Sequence, residues 1–102
     1  MKVNLTKEKL IQLAVRGPVS RRFVVIKNDK IVGELFNQKR DLFFQNFLTS
    51  LTRLDNDEVD AIKYYIIGND NVTILKKDEN VYEVILGVEK ELIKNNILNI
   101  IS

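Results

Sequence analysis

Laid against itself with a displacement of 49 residues, the sequence repeats its own pattern in order along nearly its whole length, and a chain written twice can adopt only folds that satisfy both copies. Leu5-Thr6-Lys7-Glu8-Lys9-Leu10 falls on Leu54-Asp55-Asn56-Asp57-Glu58-Val59: a leucine, an N-cap type of residue and the start of an amphipathic run in each. Phe23 to Lys27 falls on Val72 to Lys76, and Val32 to Leu35 on Val81 to Val84. One further residue of displacement sets Leu42-Phe43, Asn46-Phe47-Leu48 and Leu51 on Leu92-Ile93, Asn96-Ile97-Leu98 and Ile101.

Each copy reads helix, strand, turn, strand, helix. Thr6 is suited to cap the first helix, whose stripe is Leu10, Leu13 and Ala14, and Gly17-Pro18 ends it. Its counterpart starts at Asp55, with Glu58 as capping-box partner and Val59, Ile62 and Ile66 on one face until Gly68. Tyr64-Tyr65-Ile66-Ile67 ahead of Gly68-Asn69-Asp70-Asn71 also fits a strand entering a turn. Phe23 to Lys27 and Lys30 to Phe36 form a hairpin through Asn28-Asp29, residue types that tolerate positive φ. Ile74 to Lys76 and Val81 to Leu86 form a second around Lys77-Asp78-Glu79-Asn80. In the closing helix of the first copy, Phe43, Phe44, Phe47, Leu48, Leu51 and Leu54 spread over roughly 140° of the helix circumference. Ile93, Ile97, Ile100 and Ile101 make a narrower stripe in the second. A unit of about fifty residues buries too little surface to stand alone. The expected fold is therefore α+β: one domain over 1–102, built from pseudo-repeats 1–51 and 52–102, two degenerate αββα copies sharing one core, with antiparallel hairpins and helices packed on the sheet.

Composition removes most catalytic chemistry. The 102 residues include no cysteine and no histidine, which leaves no disulfide, no thiolate nucleophile, no Cys-ligated metal and no imidazole base. The four glycines are isolated, so no phosphate-cradling loop is present. An EF-hand loop beginning at Asp55 needs Gly at its sixth position and Glu at its twelfth, and finds Asp60 and Ile66. No cofactor, no metal and no enzymatic activity are expected. No apolar run reaches the length of a membrane span, and Met1 to Lys9 lacks the apolar stretch of a secretory signal, so the expected location is intracellular.

The net charge of +2 hides an asymmetry: residues 1–51 carry ten Lys/Arg against four Asp/Glu, and residues 52–102 six against ten. The basic half points to nucleic acid, with Arg16, Arg21, Arg22, Lys27 and Lys30 as the phosphate-gripping set; the ordinary alternative is a solvated basic surface. Phe43, Phe44 and Phe47, at core spacing on a helix, suit burial first and partner contact second. Tyr64 points away from the apolar stripe if residues 55–67 are helical, which makes it a candidate contact anchor.

The length, the Ile/Lys/Asn bias that ends in Asn95-Asn96-Ile97-Leu98-Asn99-Ile100-Ile101, and the two degenerate copies together resemble the small orphan proteins of filamentous viruses of hyperthermophilic archaea, such as the Acidianus filamentous virus group. That resemblance implies a viral protein in the host cytoplasm and carries over no catalytic residues. Eleven asparagines depart from heat-adapted composition.

Two functions are expected from these readings. The first is a non-enzymatic protein or peptide interaction module with a groove between the two copies, using Phe43, Phe44, Phe47 and Tyr64, or homodimerising through a strand edge. The alternative is nucleic-acid binding by the basic first copy.

Overall fold

The computed structural model describes residues 1–16, 22–36, 39–65 and 71–87. In chain order the elements are β1 (Lys2–Leu5), α1 (Lys7–Arg16), β2 (Arg22–Lys27), β3 (Lys30–Phe36), α2 (Arg40–Asp55), β4 (Ala61–Tyr65), β5 (Asn71–Asp78) and β6 (Val81–Leu86). The six strands form one antiparallel sheet in the order β1-β6-β5-β4-β2-β3. Both helices pack on the same face of it.

Alternation along the strands assigns that face. The cross-strand registers align Leu35, Phe23, Tyr64, Val72 and Leu86 in one row, and Gly33, Val25, Ile62, Ile74, Val84 and Val3 in the next. Against these rows lie Leu10, Leu13 and Ala14 of α1 and Phe43, Phe47, Leu51 and Leu54 of α2, all buried. The aromatic centre is Phe23, Phe43 and Tyr64. The Phe23 and Tyr64 rings stack at 6.3 Å, and Phe43 meets them edge-on at 5.8 and 5.1 Å.

Several expectations hold. The Thr6 hydroxyl accepts from the Lys9 amide at 3.3 Å, capping α1. Asn28 and Asp29 both have positive φ, 52° and 61°, as a two-residue primed turn requires. The second hairpin turns at Glu79-Asn80 with Asn80 at φ 54°, and β5 runs on to Asp78.

The third element is a correction. No helix opens at Asp55, and the strand reading holds for the described part of the segment: α2 runs through to Asp55, a turn follows, and Ala61–Tyr65 is strand β4. What reads as an acidic N-terminal cap is a C-terminal one. The Glu58 amide donates to the Arg53 carbonyl at 3.0 Å and the Asp57 amide to Leu54 at 3.3 Å, a Schellman closure with Asp57 in the left-handed position at φ 59°. Where such caps usually carry an apolar contact, this one carries an ion pair, Arg53 Nε to Glu58 Oε2 at 3.3 Å. The two copies therefore do not correspond at this element. Strand β1, which pairs with β6, precedes α1 and is additional to the elements expected from the sequence. The expected helix stop at Gly17-Pro18, the position of Ile66 and Gly68, and the closing helix with Ile93, Ile97, Ile100 and Ile101 lie outside the described residues.

Candidate functional site

Backbone direction along β2 decides what β3 offers to the outside. The Ile26 carbonyl accepts from the Asp60 amide at 2.7 Å, so it faces β4. By alternation, Val24 and Arg22 face β4 as well, whereas Phe23 and Val25 face β3. Glu34 and Phe36 stand opposite Val24 and Arg22, and so turn their own N–H and C=O groups away from the sheet. β3 is the terminal strand, and among the described residues nothing pairs with its outer edge.

Its side chains are unusual for an edge. Ile31, Val32, Leu35 and Phe36 are 51, 49, 51 and 69 % exposed. The opposite edge, β1, has four residues and presents Lys2 and Asn4, a short polar edge of the kind that resists pairing. The single irregularity of β3 is a bulge at its start: Ile31 pairs with Ile26 and Gly33 with Val25, so Val32 is supernumerary and Gly33 to Phe36 runs in regular register.

On the helix side, β3 and α2 bound an open groove of about 290 Å³. Its floor is Phe23, Val25, Gly33 and Leu35, and its wall is Asn46, Thr49, Ser50 and Arg53. Gly33 lets Val25 pack close against β3, since a Cβ there would lie 2.6 Å from a Val25 methyl. Leu42, half-exposed, continues the helical stripe of Asn46, Thr49 and Arg53 at spacing i, i+4, i+7 and i+11.

The residues singled out as partner contacts are placed differently. Phe43, Phe47 and Tyr64 are buried beneath α2 and in contact with one another, and burial pushes the Tyr64 phenol up. Phe44 is half-buried at the margin of the core. The expected anchor role of Tyr64 rested on a helix; on β4 the same residue alternates inward. Where the two halves of the chain meet in the sheet, β2 and β4 pair directly from Arg22 opposite Tyr65 to Ile26 opposite Ala61, which leaves no groove between these two strands among the described residues.

The basic set is likewise dispersed. Arg22 and Lys27 sit at opposite ends of β2, about 17 Å apart at ordinary strand rise. Arg22 pairs with Glu34 at 2.5 Å. Lys27 pairs with Asp60 at 3.0 Å and donates to the Asp57 carbonyl at 3.2 Å. The Asn28 amide and Lys27 ammonium hold the Asp60 carboxyl below its usual range, which ties the tip of the first hairpin to the turn before β4. Arg16 is exposed at the end of α1, Lys30 is exposed beside the hairpin turn, and Arg21 lies outside the described residues. Arg22 and Lys63 also flank the Tyr65 ring on the face away from the helices, at 5.2 and 5.7 Å.

A polar cluster unforeseen in the sequence centres on Asp55. Its carboxylate accepts from Lys7 at 3.0 Å, from Lys76 at 3.1 Å and from the Tyr82 hydroxyl. Burial pushes this carboxyl up, but the hydrogen bonds from Tyr82, Lys7 and Lys76 outweigh it and hold it below the usual range. Burial and the Asp55 carboxylate push the Tyr82 phenol up. Asp55 is the last residue of α2, where the helix dipole disfavours an anion; the two lysines offset that. The arrangement joins α1, α2, β5 and β6 and is satisfied internally.

Compared with protein-family models, with curated proteins and with solved structures, the chain matches none of them. Among the described residues, no helix is long and apolar enough to cross a membrane.

Proposed function

We propose that the protein is a non-enzymatic interaction module that takes an extended protein segment as an additional strand on β3. One observation carries this reading: a terminal strand of seven residues exposes four large apolar side chains and turns the backbone groups of Glu34 and Phe36 outward. An edge of this kind in a lasting soluble protein is covered in use, since left open it templates aggregation. The groove beside it supplies the side-chain contacts that distinguish one segment from another, with an apolar floor and a polar wall.

Nuclear magnetic resonance titration with a library of short extended peptides tests the reading. The expected result is amide shifts confined to β3 and to residues 46–53 of α2, with binding lost in Glu34→Pro, which removes an outward donor where proline is tolerated. Peptides that shift no amide of β3, or that bind Glu34→Pro unchanged, overturn it.

Nucleic-acid binding is a second reading, supported by Tyr65 lying between Arg22 and Lys63 on the face opposite the helices. It predicts retardation of single-stranded nucleic acid that weakens steeply with added salt and with Tyr65→Ala. An absence of retardation at low salt removes it.

A further inference from the structure

We infer that the groove between β3 and α2 binds a small monocarboxylate with an apolar body, of the kind of a medium-chain fatty acid. The inference concerns the helix side of β3 and does not rest on a strand being added at its outer edge. Ser50 is the starting point. It is 7 % exposed, lines the groove and, apart from the tyrosines, is the one buried polar side chain among the described residues. A serine or threonine within a helix often returns its hydroxyl to the carbonyl four residues back. Thr49 does so to Gln45 at 3.0 Å and Thr52 to Leu48 at 3.1 Å, whereas the Ser50 hydroxyl has no hydrogen-bond partner among the described residues. A buried hydroxyl left unpaired costs stability, and the groove is the route by which a partner reaches it.

Arg53, three residues on along the same face of α2, supplies the charge. Its Nε donates to Glu58 Oε2 at 3.3 Å, which orients the guanidinium and is its one ion pair among the described residues. Nη1 lies 3.9 Å from where a Cβ on Gly33 would be, so the guanidinium reaches from the helix to the strand across the groove. Glu34, the other charged residue of the lining, is held by Arg22 at 2.5 Å, which leaves Arg53 as the charge offered to a guest. A carboxylate that meets Nη1 and the Ser50 hydroxyl accepts from both, one bond being charge-assisted; an ammonium has nothing to offer either donor. The Val25 methyl fills the floor at Gly33, so the apolar body lies instead along Leu35, which is half-exposed. At about 290 Å³ the groove stands at the small end of ligand pockets, and its guest is correspondingly small.

Titration of the isotope-labelled protein with octanoate, followed by amide shifts, tests the inference against octylamine and octanol, which keep the tail and change the head. Octanoate is expected to give saturating shifts at Leu35, Asn46, Ser50 and Arg53 with a Kd of about 1 mM or tighter, and the two controls to bind at least about tenfold more weakly. Arg53→Gln is expected to weaken octanoate binding by about tenfold or more. Ser50→Ala separates a hydroxyl kept for a ligand from one with a structural role. It is expected to lose about tenfold in octanoate affinity while the unliganded protein melts at the same or a higher temperature, since the methyl needs no partner. Shifts that do not saturate, equal binding of the three amphiphiles, affinity unchanged in either variant, or a lower melting temperature in Ser50→Ala overturns the inference. Strand addition on the outer edge of β3 is decided separately, by peptides and by Glu34→Pro, so the failure of one reading is distinguishable from the failure of the other.

Discussion

Asp55 shows how one residue's role depends on which side of a helix boundary it occupies. In the sequence it precedes an amphipathic run and looks like an N-cap; in the structure it ends α2 and gathers Lys7, Lys76 and Tyr82. None of these partners is near it in sequence, so no local pattern could have announced the cluster. Because its folded pKa is depressed, Asp55 contributes stability that is present above the ordinary carboxylate range and is lost as pH falls through the folded value. Asp55→Asn is expected to cost about 1–2 kcal/mol at neutral pH, a figure reduced for partial solvent exposure, and to flatten the acid limb of stability. Urea midpoints at neutral and acid pH, compared between the two proteins, check both effects. Asp57 makes the opposite case: held at φ 59° in a position that favours glycine, it is a site where Asp57→Gly is expected to raise stability by about 0.5–1 kcal/mol, read as a shift in the urea midpoint.

At the scale of elements, what was legible was whatever depends on near neighbours. The Thr6 cap, the Leu10, Leu13 and Ala14 stripe and the Asn28-Asp29 turn are all set within a few residues, and all are in place. The segment from Asp55 reads both ways because Val59, Ile62 and Ile66 satisfy helical spacing, while Ile62 and Tyr64 equally satisfy strand alternation. Pairing with both β2 and β5 decided between them, and that is a tertiary effect. The α2 terminus was obscured because its left-handed residue is aspartate instead of glycine. β1 is four residues long, too brief for its alternation to register against the cap that follows. Local determination of α1 can be measured directly: Thr6→Ala is expected to cost about 1 kcal/mol, seen as a lower thermal midpoint without change in the folded spectrum.

Over the whole molecule, the helical stripes mark the core faces of both helices, whereas the place of the exposed apolar residues is not written in any local pattern. Phe43 and Phe47 fill the core, as their helical spacing implies, and Tyr64, a contact anchor only on a helix, joins them from β4; the exposed apolar residues lie on β3, where a hairpin pattern alone does not say which strand ends at the edge. Strand order therefore determined where the candidate site lies, and strand order is set by pairings between distant segments. The same order predicts how stability is distributed. β2, β4, β5 and β6 are paired on both sides, so native-state hydrogen exchange is expected to be slowest for amides of β4 and β5, with the outward amides of Glu34 and Phe36 in β3 exchanging first. Phe43→Ala, which removes the ring meeting both Phe23 and Tyr64 edge-on, is expected to cost about 3–5 kcal/mol and to collapse that gradient, as seen by exchange at all positions together.

The pairing of β1 with β6 has a consequence in time. These strands are joined by the intervening chain of residues 6–80, and the Met1 and Leu86 backbones close on each other, Leu86 N–H to the Met1 carbonyl at 2.7 Å. During synthesis β1 emerges long before its partner, while the β2–β3 hairpin can zip as soon as its turn is free. The nascent sheet must therefore grow from its apolar edge toward its polar one, and for that interval β3 is present and uncovered in a half-built molecule. Pulse-labelling during refolding is expected to show β2 and β3 amides protected early and those of β1 last, a sequence that exposes the stickiest strand for longest and makes encounter with another newly made chain a feature of the molecule's first moments.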